Sequence, residues 1–265
     1  MRLLALVVAL VVPGLAFAQT SVKFRSEDKF GFFPAATISA TVHKPDGPGP
    51  FPAAIVLHDC GGIADHTTAW ARRMVRWGYV AIVPDSFGSR GLGNSCQNVV
   101  AVSERQRVPD ALGAAQFLAT LPHVRKDSIG IVGFSHGGGT VMKGVQGSME
   151  WSKAGIKAAV AYYPFCNPGS ESSIAVPLLI NIGESDDWTP AARCQAVARE
   201  ALNPSLVTLK LYPGALHAFD RDLPTRWVQG MGEGGQVKTR KLEYNGPATR
   251  DAESQTKSFF ERHLN

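Results

Sequence analysis

Short apolar runs alternate with amphipathic stretches along most of this chain. Runs at 53–57, 79–83, 128–132, 157–163, 177–182 and 206–212 are each bounded by Gly, Pro or polar residues, as expected of strands buried on both faces of a parallel sheet. Between them, 67–77, 103–120, 136–146, 191–201 and 250–263 read as helices; in 103–120 one face carries Val108, Ala111, Leu112, Ala115 and Leu118. Two earlier segments, 22–25 and 36–44, read as edge strands, the second alternating from Thr37 to Val42 before a turn rich in Pro and Gly at 45–50. The repetition predicts an α/β fold, a mostly parallel central sheet with helices on both faces and functional groups at the carboxyl ends of the strands. Residues 222–249 break the alternation. They contain Gly230, Gly232, Gly234, Gly235 and Gly246 without sustained periodicity and read as a long loop, either a lid over a pocket mouth or a solvated insertion.

The chain has 265 residues, 45% of them hydrophobic, enough for one sizeable core, and no Pro/Ser-rich linker divides it. A single domain is expected over 19–265. Ahead of it, Arg2, the apolar run Leu3 to Val12 and the small-residue site Ala16-Phe17-Ala18 have the form of a secretory signal peptide, cleaved after Ala18. That apolar run is about half of the roughly 20 residues needed to span a bilayer, and Pro13-Gly14 follows it directly. A periplasmic or secreted mature chain without a membrane span is therefore expected. The formal charge of +5 is a mild excess, and its densest group, Lys238-Thr239-Arg240-Lys241, lacks interleaved aromatics, which argues against nucleic-acid binding. In an oxidising compartment the four cysteines become candidates for disulfides. Cys166 with Cys194 is favoured because both follow consecutive strands on one sheet edge, leaving Cys60 with Cys96. No C-x-x-C spacing occurs, so no metal is expected, and no cofactor motif stands out.

Candidate chemistry centres on Gly133-Phe134-Ser135-His136-Gly137, a G-x-S-x-G sequence directly after the apolar run 128–132. A sharp strand-to-helix turn there lifts the Ser135 hydroxyl above the sheet edge, and flanking glycines remove the side chains that would obstruct it. A helix starting at His136 aims its free N–H groups at a developing oxyanion. A serine hydroxyl needs a base, and His217, on a loop after the last strand, is preferred to His58, His66 and His136. His136 should point away, His58 should order its own loop, and the other histidines read as surface groups. The orienting acid is Asp186 or Asp187 in the loop after 177–182; the spacing to Gly183 and Pro190 favours Asp186, with Asp187 as a supporting or helix-capping residue. For the oxyanion hole, the backbone N–H of His136 and, from the loop His58-Asp59-Cys60-Gly61-Gly62, that of Cys60 are expected. Asp59 either stabilises its own turn or contacts Ser135.

In combination, these motifs, with Pro84-Asp85-Ser86-Phe87-Gly88-Ser89-Arg90-Gly91 and His217-Ala218-Phe219, resemble those of the dienelactone hydrolase family from about Ala35 to the C-terminus. The resemblance implies an α/β-hydrolase fold without a large cap domain, hydrolysing a small-molecule ester or lactone through a covalent acyl-enzyme. By position it implies Ser135 as nucleophile, Asp186 as acid, His217 as base, and Cys60 and His136 as backbone donors. The namesake enzymes use a cysteine nucleophile, so Ser135 is a departure that points away from dienelactone itself. They also hold a substrate carboxylate with arginines; Arg221 falls at one such position and Arg90 lies near the other with an offset, surface ion pairing being the alternative for both. An exported serine esterase or lactonase is the expected activity. A peptidase or acyltransferase on the same triad, or a non-catalytic binding module, are the alternatives. Nothing in the chain specifies an oligomeric state.

Overall fold

The computed structural model describes residues 18–26 and 31–264; the proposed signal peptide, up to Phe17, lies outside them. Eight strands form the main sheet: β1 (Ala18–Ser26), β2 (Ala36–Lys44), β3 (Phe51–Leu57), β4 (Val80–Pro84), β5 (Val124–Phe134), β6 (Ile156–Tyr162), β7 (Leu178–Gly183) and β8 (Val207–Tyr212). Their spatial order is β1-β2-β4-β3-β5-β6-β7-β8. Both β1–β2 and β2–β4 pair antiparallel, whereas β4, β3 and β5 to β8 run parallel. Helices α1 (Asp65–Arg76), α2 (Val108–Ala119), α3 (His136–Gly144), α4 (Ala191–Glu200) and α5 (Gly246–Leu264) connect or close the strands.

Ile55, Val56 and Leu57 of β3 and Ile131 and Val132 of β5 are fully buried, which is why these segments carry unbroken apolar runs instead of alternation. Parallel direction brings the carboxyl ends of β3, β5, β7 and β8 to one edge of the sheet. The loops carrying Cys60, Ser135, Asp186 and His217 all leave from that edge.

Several boundaries differ from expectation. The helix read over 103–120 starts at Val108, after a single 3-10 turn at Arg105–Arg107. The last helix begins at Gly246, with Pro247 in its first turn, where a missing N–H costs nothing. Residues 222–249 are not simply a loop: β9 (Arg226–Met231) and β10 (Val237–Leu242) form an antiparallel hairpin pairing Met231 with Val237 and Arg226 with Leu242. Most of its positions are exposed or half-buried, so no core-facing alternation marks it in the sequence. Gly234 and Gly235, both at φ +74°, make its turn.

Disulfides join Cys60 to Cys96 and Cys166 to Cys194. Among the described residues, no helix is long and apolar enough to cross a membrane.

Candidate active site

Ser135 sits at φ 50°, ψ −112°, a region that side chains other than glycine rarely occupy. Two backbone bonds hold it there: its N–H donates to Tyr162 O at 2.9 Å, and its carbonyl accepts from Gly139 N–H at 2.8 Å. The flanking glycines are required by close approach. A Cβ on Gly133 would collide with the carbonyl of Gly137, and one on Gly137 would lie 2.5 Å from Leu57 O and 2.6 Å from His58 O. Helix α3 therefore packs directly on β3 and β5, and its first N–H groups open at the serine.

His217 Nε2 lies 2.9 Å from Ser135 Oγ, and His217 Nδ1 lies 2.8 Å from Asp186 Oδ2. Asp186 is fixed in turn. Its Oδ1 accepts the N–H groups of Trp188 at 2.9 Å and Thr189 at 2.8 Å, and its Oδ2 accepts the Thr189 hydroxyl at 2.8 Å. Asp187, by contrast, is exposed and faces Arg240 at 3.3 Å. The His217 ring packs between Tyr163 and Trp188, with centroids 4.9 and 4.8 Å away. A proton on Nδ1 shared with Asp186 leaves the Nε2 lone pair facing the hydroxyl, the geometry a general base requires.

Behind this group lies a second buried carboxylate that sequence reasoning missed. Asp220 accepts bonds from Tyr163 Oη at 2.7 Å and Trp70 Nε1 at 2.9 Å, and faces His66 Nε2 at 2.8 Å. Burial pushes its pKa up, but His66 and the three bonds outweigh this and hold it below the ordinary carboxylate value. Burial, reinforced by Asp220, raises the Tyr163 phenol well above its usual range. Tyr163, at φ 38°, is thus locked against the His217 ring. His66 is not the surface histidine expected, and His43 is also buried, at 3% exposure. The one sequence signal for Asp220 was its position three residues after His217.

His136 does point away from the site, as expected. Arg107 Nη1 donates to its Nδ1 at 2.8 Å, and Nε2 lies 3.2 Å from Val99 O. A guanidinium cannot accept, so the ring is neutral with its proton on Nε2; burial and then Arg107 pull its pKa down to about 3. His58 is buried with Nδ1 2.7 Å from Asp59 O, and burial, then Arg107 and His136, hold its pKa well below 6.5. Asp59 Oδ1 accepts Gly61 N–H at 2.6 Å, while Oδ2 is ion-paired with Arg221. Arg90 is a correction: its guanidinium forks onto buried Asp110 at 2.8 and 2.9 Å and donates to Ser86 O at 2.8 Å. It lines neither cavity at Ser135 and acts in packing, the offset having brought it to a structural carboxylate.

Two cavities meet at Ser135, one of about 340 Å³ and one of about 250 Å³. Cys60 and Trp188 border both. The β9–β10 hairpin roofs them. Trp188 Nε1 donates to Met231 O at 2.9 Å, and Met231 N–H donates to Cys96 O at 2.9 Å. The Trp188 indole fills the space a Cβ on Gly230 would need.

Known proteins resemble this chain over most of its length. The profile described as Dienelactone hydrolase family matches residues 38–264. A Synechocystis sp. protein named as a carboxymethylenebutenolidase is 25% identical over 251 residues, 86% of this chain and 92% of its own. A Bradyrhizobium sp. protein named as a 2-oxo-3-(5-oxofuran-2-ylidene)propanoate lactonase is 25% identical over 193 residues, 68% of this chain and 78% of its own. Among solved structures, the dienelactone hydrolase-like promiscuous phosphotriesterase P91 from metagenomic libraries superposes with a TM-score of 0.69 at 19% identity, covering 94% of this chain and 100% of that one. At that identity the likeness concerns the fold.

Proposed function

The chain belongs to the dienelactone hydrolase family, a family of carboxylic ester hydrolases, and on that premise we propose that it is an exported hydrolase cleaving a carboxylic ester or lactone with Ser135 as nucleophile. The observation that carries the reading is the relay of Ser135 Oγ, His217 and Asp186 over 2.9 and 2.8 Å. A thiol in place of the hydroxyl finds no support: among the described residues every cysteine is in a disulfide.

In the first half-reaction His217 Nε2 takes the proton of Ser135 as Oγ attacks the acyl carbon. The carbonyl oxygen becomes an oxyanion, stabilised by the N–H groups of His136 at the start of α3 and of Cys60. When the intermediate collapses, the bond to the alcohol oxygen breaks and His217 returns the proton to it. Water then enters, loses a proton to His217 and attacks the acyl-serine; release of the acid regenerates Ser135. For a lactone, alcohol and acid leave as one molecule. Asp186 stabilises the imidazolium at both stages.

The Cys60–Cys96 and Cys166–Cys194 disulfides suit an oxidising compartment and agree with the signal sequence ahead of the domain. A fluorophosphonate probe tests the assignment: wild-type protein is expected to be labelled once, at Ser135, and Ser135→Ala not at all. Labelling elsewhere, or p-nitrophenyl acetate turnover unchanged in Ser135→Ala, would overturn it.

A further inference from the structure

The two cavities at Ser135 are not equivalent to the reaction. His217 lines the smaller and not the larger; His136 lines the larger and not the smaller. An imidazole that protonates the departing oxygen must have that oxygen on its own side. The alcohol portion therefore belongs in the smaller cavity and the acyl portion in the larger, an assignment that rests on the serine-hydrolase reading above.

Val99, Val100, Phe165 and Met231 give the larger cavity apolar walls, but two charged groups interrupt them along α3. The Glu104 carboxylate occupies the space into which a Cβ on Gly139 would project, one turn along the helix from Ser135. Lys143 follows one turn later on the same face, about 12 Å from Ser135 along the axis, ion-paired with buried Glu171. Glu171 is satisfied further by Asn167 N–H at 2.8 Å and Asn167 Nδ2 at 3.3 Å. Glu104 differs. No described residue donates a hydrogen bond to its carboxylate, and burial, only partly countered by Lys143, raises its pKa to about 7. The residue is half-buried and borders a cavity that leads to the reacting serine, so an incoming donor can reach its carboxylate there.

The chemistry selects what can fill that place. An ammonium would face Lys143, and a carboxylate would face Glu104 and Glu171. A hydroxyl suits both neighbours, donating to Glu104 and accepting from Lys143. We propose that the larger cavity is a subsite for hydroxyacyl groups, in which an apolar acyl chain runs from Ser135 along α3 and its distal hydroxyl is held by Glu104 and Lys143. The substrates are then esters of hydroxy acids, or lactones whose opened product is such an acid.

The test compares ethyl 6-hydroxyhexanoate with ethyl heptanoate, which puts a methyl where the hydroxyl was, by pH-stat on the purified mature protein. Wild-type kcat/KM should favour the hydroxy ester, and Glu104→Leu should lower that ratio about 10–100-fold, as loss of a hydrogen bond to a charged group does, while ethyl heptanoate is still turned over. Glu104→Gln, nearly isosteric, guards against a folding defect and should lower the ratio by a smaller factor. The control pair 6-hydroxyhexyl acetate and heptyl acetate, with the hydroxyl on the alcohol side, should give a ratio indifferent to either variant. No wild-type preference, a ratio unmoved in both variants, or sensitivity confined to the alcohol-side pair would overturn the proposal. Wild-type protein that takes the fluorophosphonate probe at Ser135 but turns over neither acyl-side ester overturns the subsite alone; protein that fails to react with the probe overturns the hydrolase reading itself.

Discussion

The two disulfides are expected to be similar in what they contribute to stability and different in what they contribute to activity. Cys60 and Cys96 are 36 residues apart and Cys166 and Cys194 are 28 apart. By the loop-closure relation, cross-links of these spans remove unfolded-state entropy equivalent to about 3.8 and about 3.6 kcal/mol at 25 °C. Their surroundings differ. The Cys60 carbonyl accepts Ser95 N–H at 2.8 Å and the Cys96 carbonyl accepts Met231 N–H at 2.9 Å, so this bridge ties together the loop expected to supply an oxyanion donor, its neighbour and the roof hairpin. Cys166–Cys194 fastens the loop after β6 to α4. The double variants Cys60→Ser/Cys96→Ser and Cys166→Ser/Cys194→Ser should therefore lose comparable unfolding free energy in urea titrations, each about 3–4 kcal/mol. Removal of one oxyanion donor costs about 10²–10³ in kcat; a donor that is loosened instead of deleted should cost about 10–100-fold. That loss in p-nitrophenyl acetate turnover, measured well below the unfolding midpoint, is expected for the first variant only. Equal activity losses in the two variants, or full activity in Cys60→Ser/Cys96→Ser, would refute the reasoning.

Further tests address the remaining assignments. Asp186→Asn should reduce kcat about 10⁴-fold by fixing the wrong tautomer of His217, whereas Asp187→Asn, at an exposed carboxylate, should change it less than a few-fold in the same steady-state assay. Gly230→Ala should displace the Trp188 indole, which packs on His217, and the hairpin, lowering kcat/KM for bulky esters about tenfold and slowing labelling by a small fluorophosphonate as well. His136 has its pKa lowered from 6.5 to about 3, so between those values the unfolded chain binds the extra proton and stability falls as pH falls. The slope approaches 1.4 kcal/mol per pH unit. Urea midpoints at pH 7 and 5 should show His136→Gln losing about 2 kcal/mol less than wild type over that interval, with His58 still contributing.

Those parts of the molecule set by local constraints were legible in the sequence. A turn that forbids a Cβ two residues either side of Ser135 leaves its mark as Gly133 and Gly137, and strands buried on both faces leave continuous apolar runs. The pairing of the cysteines followed from strand order. What could not be read was fixed by contacts between distant segments. Tyr163 and Asp220 are 57 residues apart, and neither has a neighbour in the chain that announces the bond. The family resemblance sets Arg90 near a carboxylate-holding position with an offset, yet the buried carboxylate of Asp110 decides where its guanidinium goes. The hairpin escaped notice because its strands bury almost nothing, so the periodic signal that reveals β-structure is absent from Arg226 to Leu242.

The carbonyl of Phe219, two residues past His217, is held by Asn245 N–H at 2.9 Å and by the Thr249 hydroxyl at 3.0 Å, both at the beginning of α5. Further along the same helix, Phe260 and Leu264 pack under Gly130 of β5. The loop that carries His217 is therefore seated by a helix made after it in the chain. On the proposed mechanism, a partly made chain is expected to carry Ser135 well before it has the segment that positions its base.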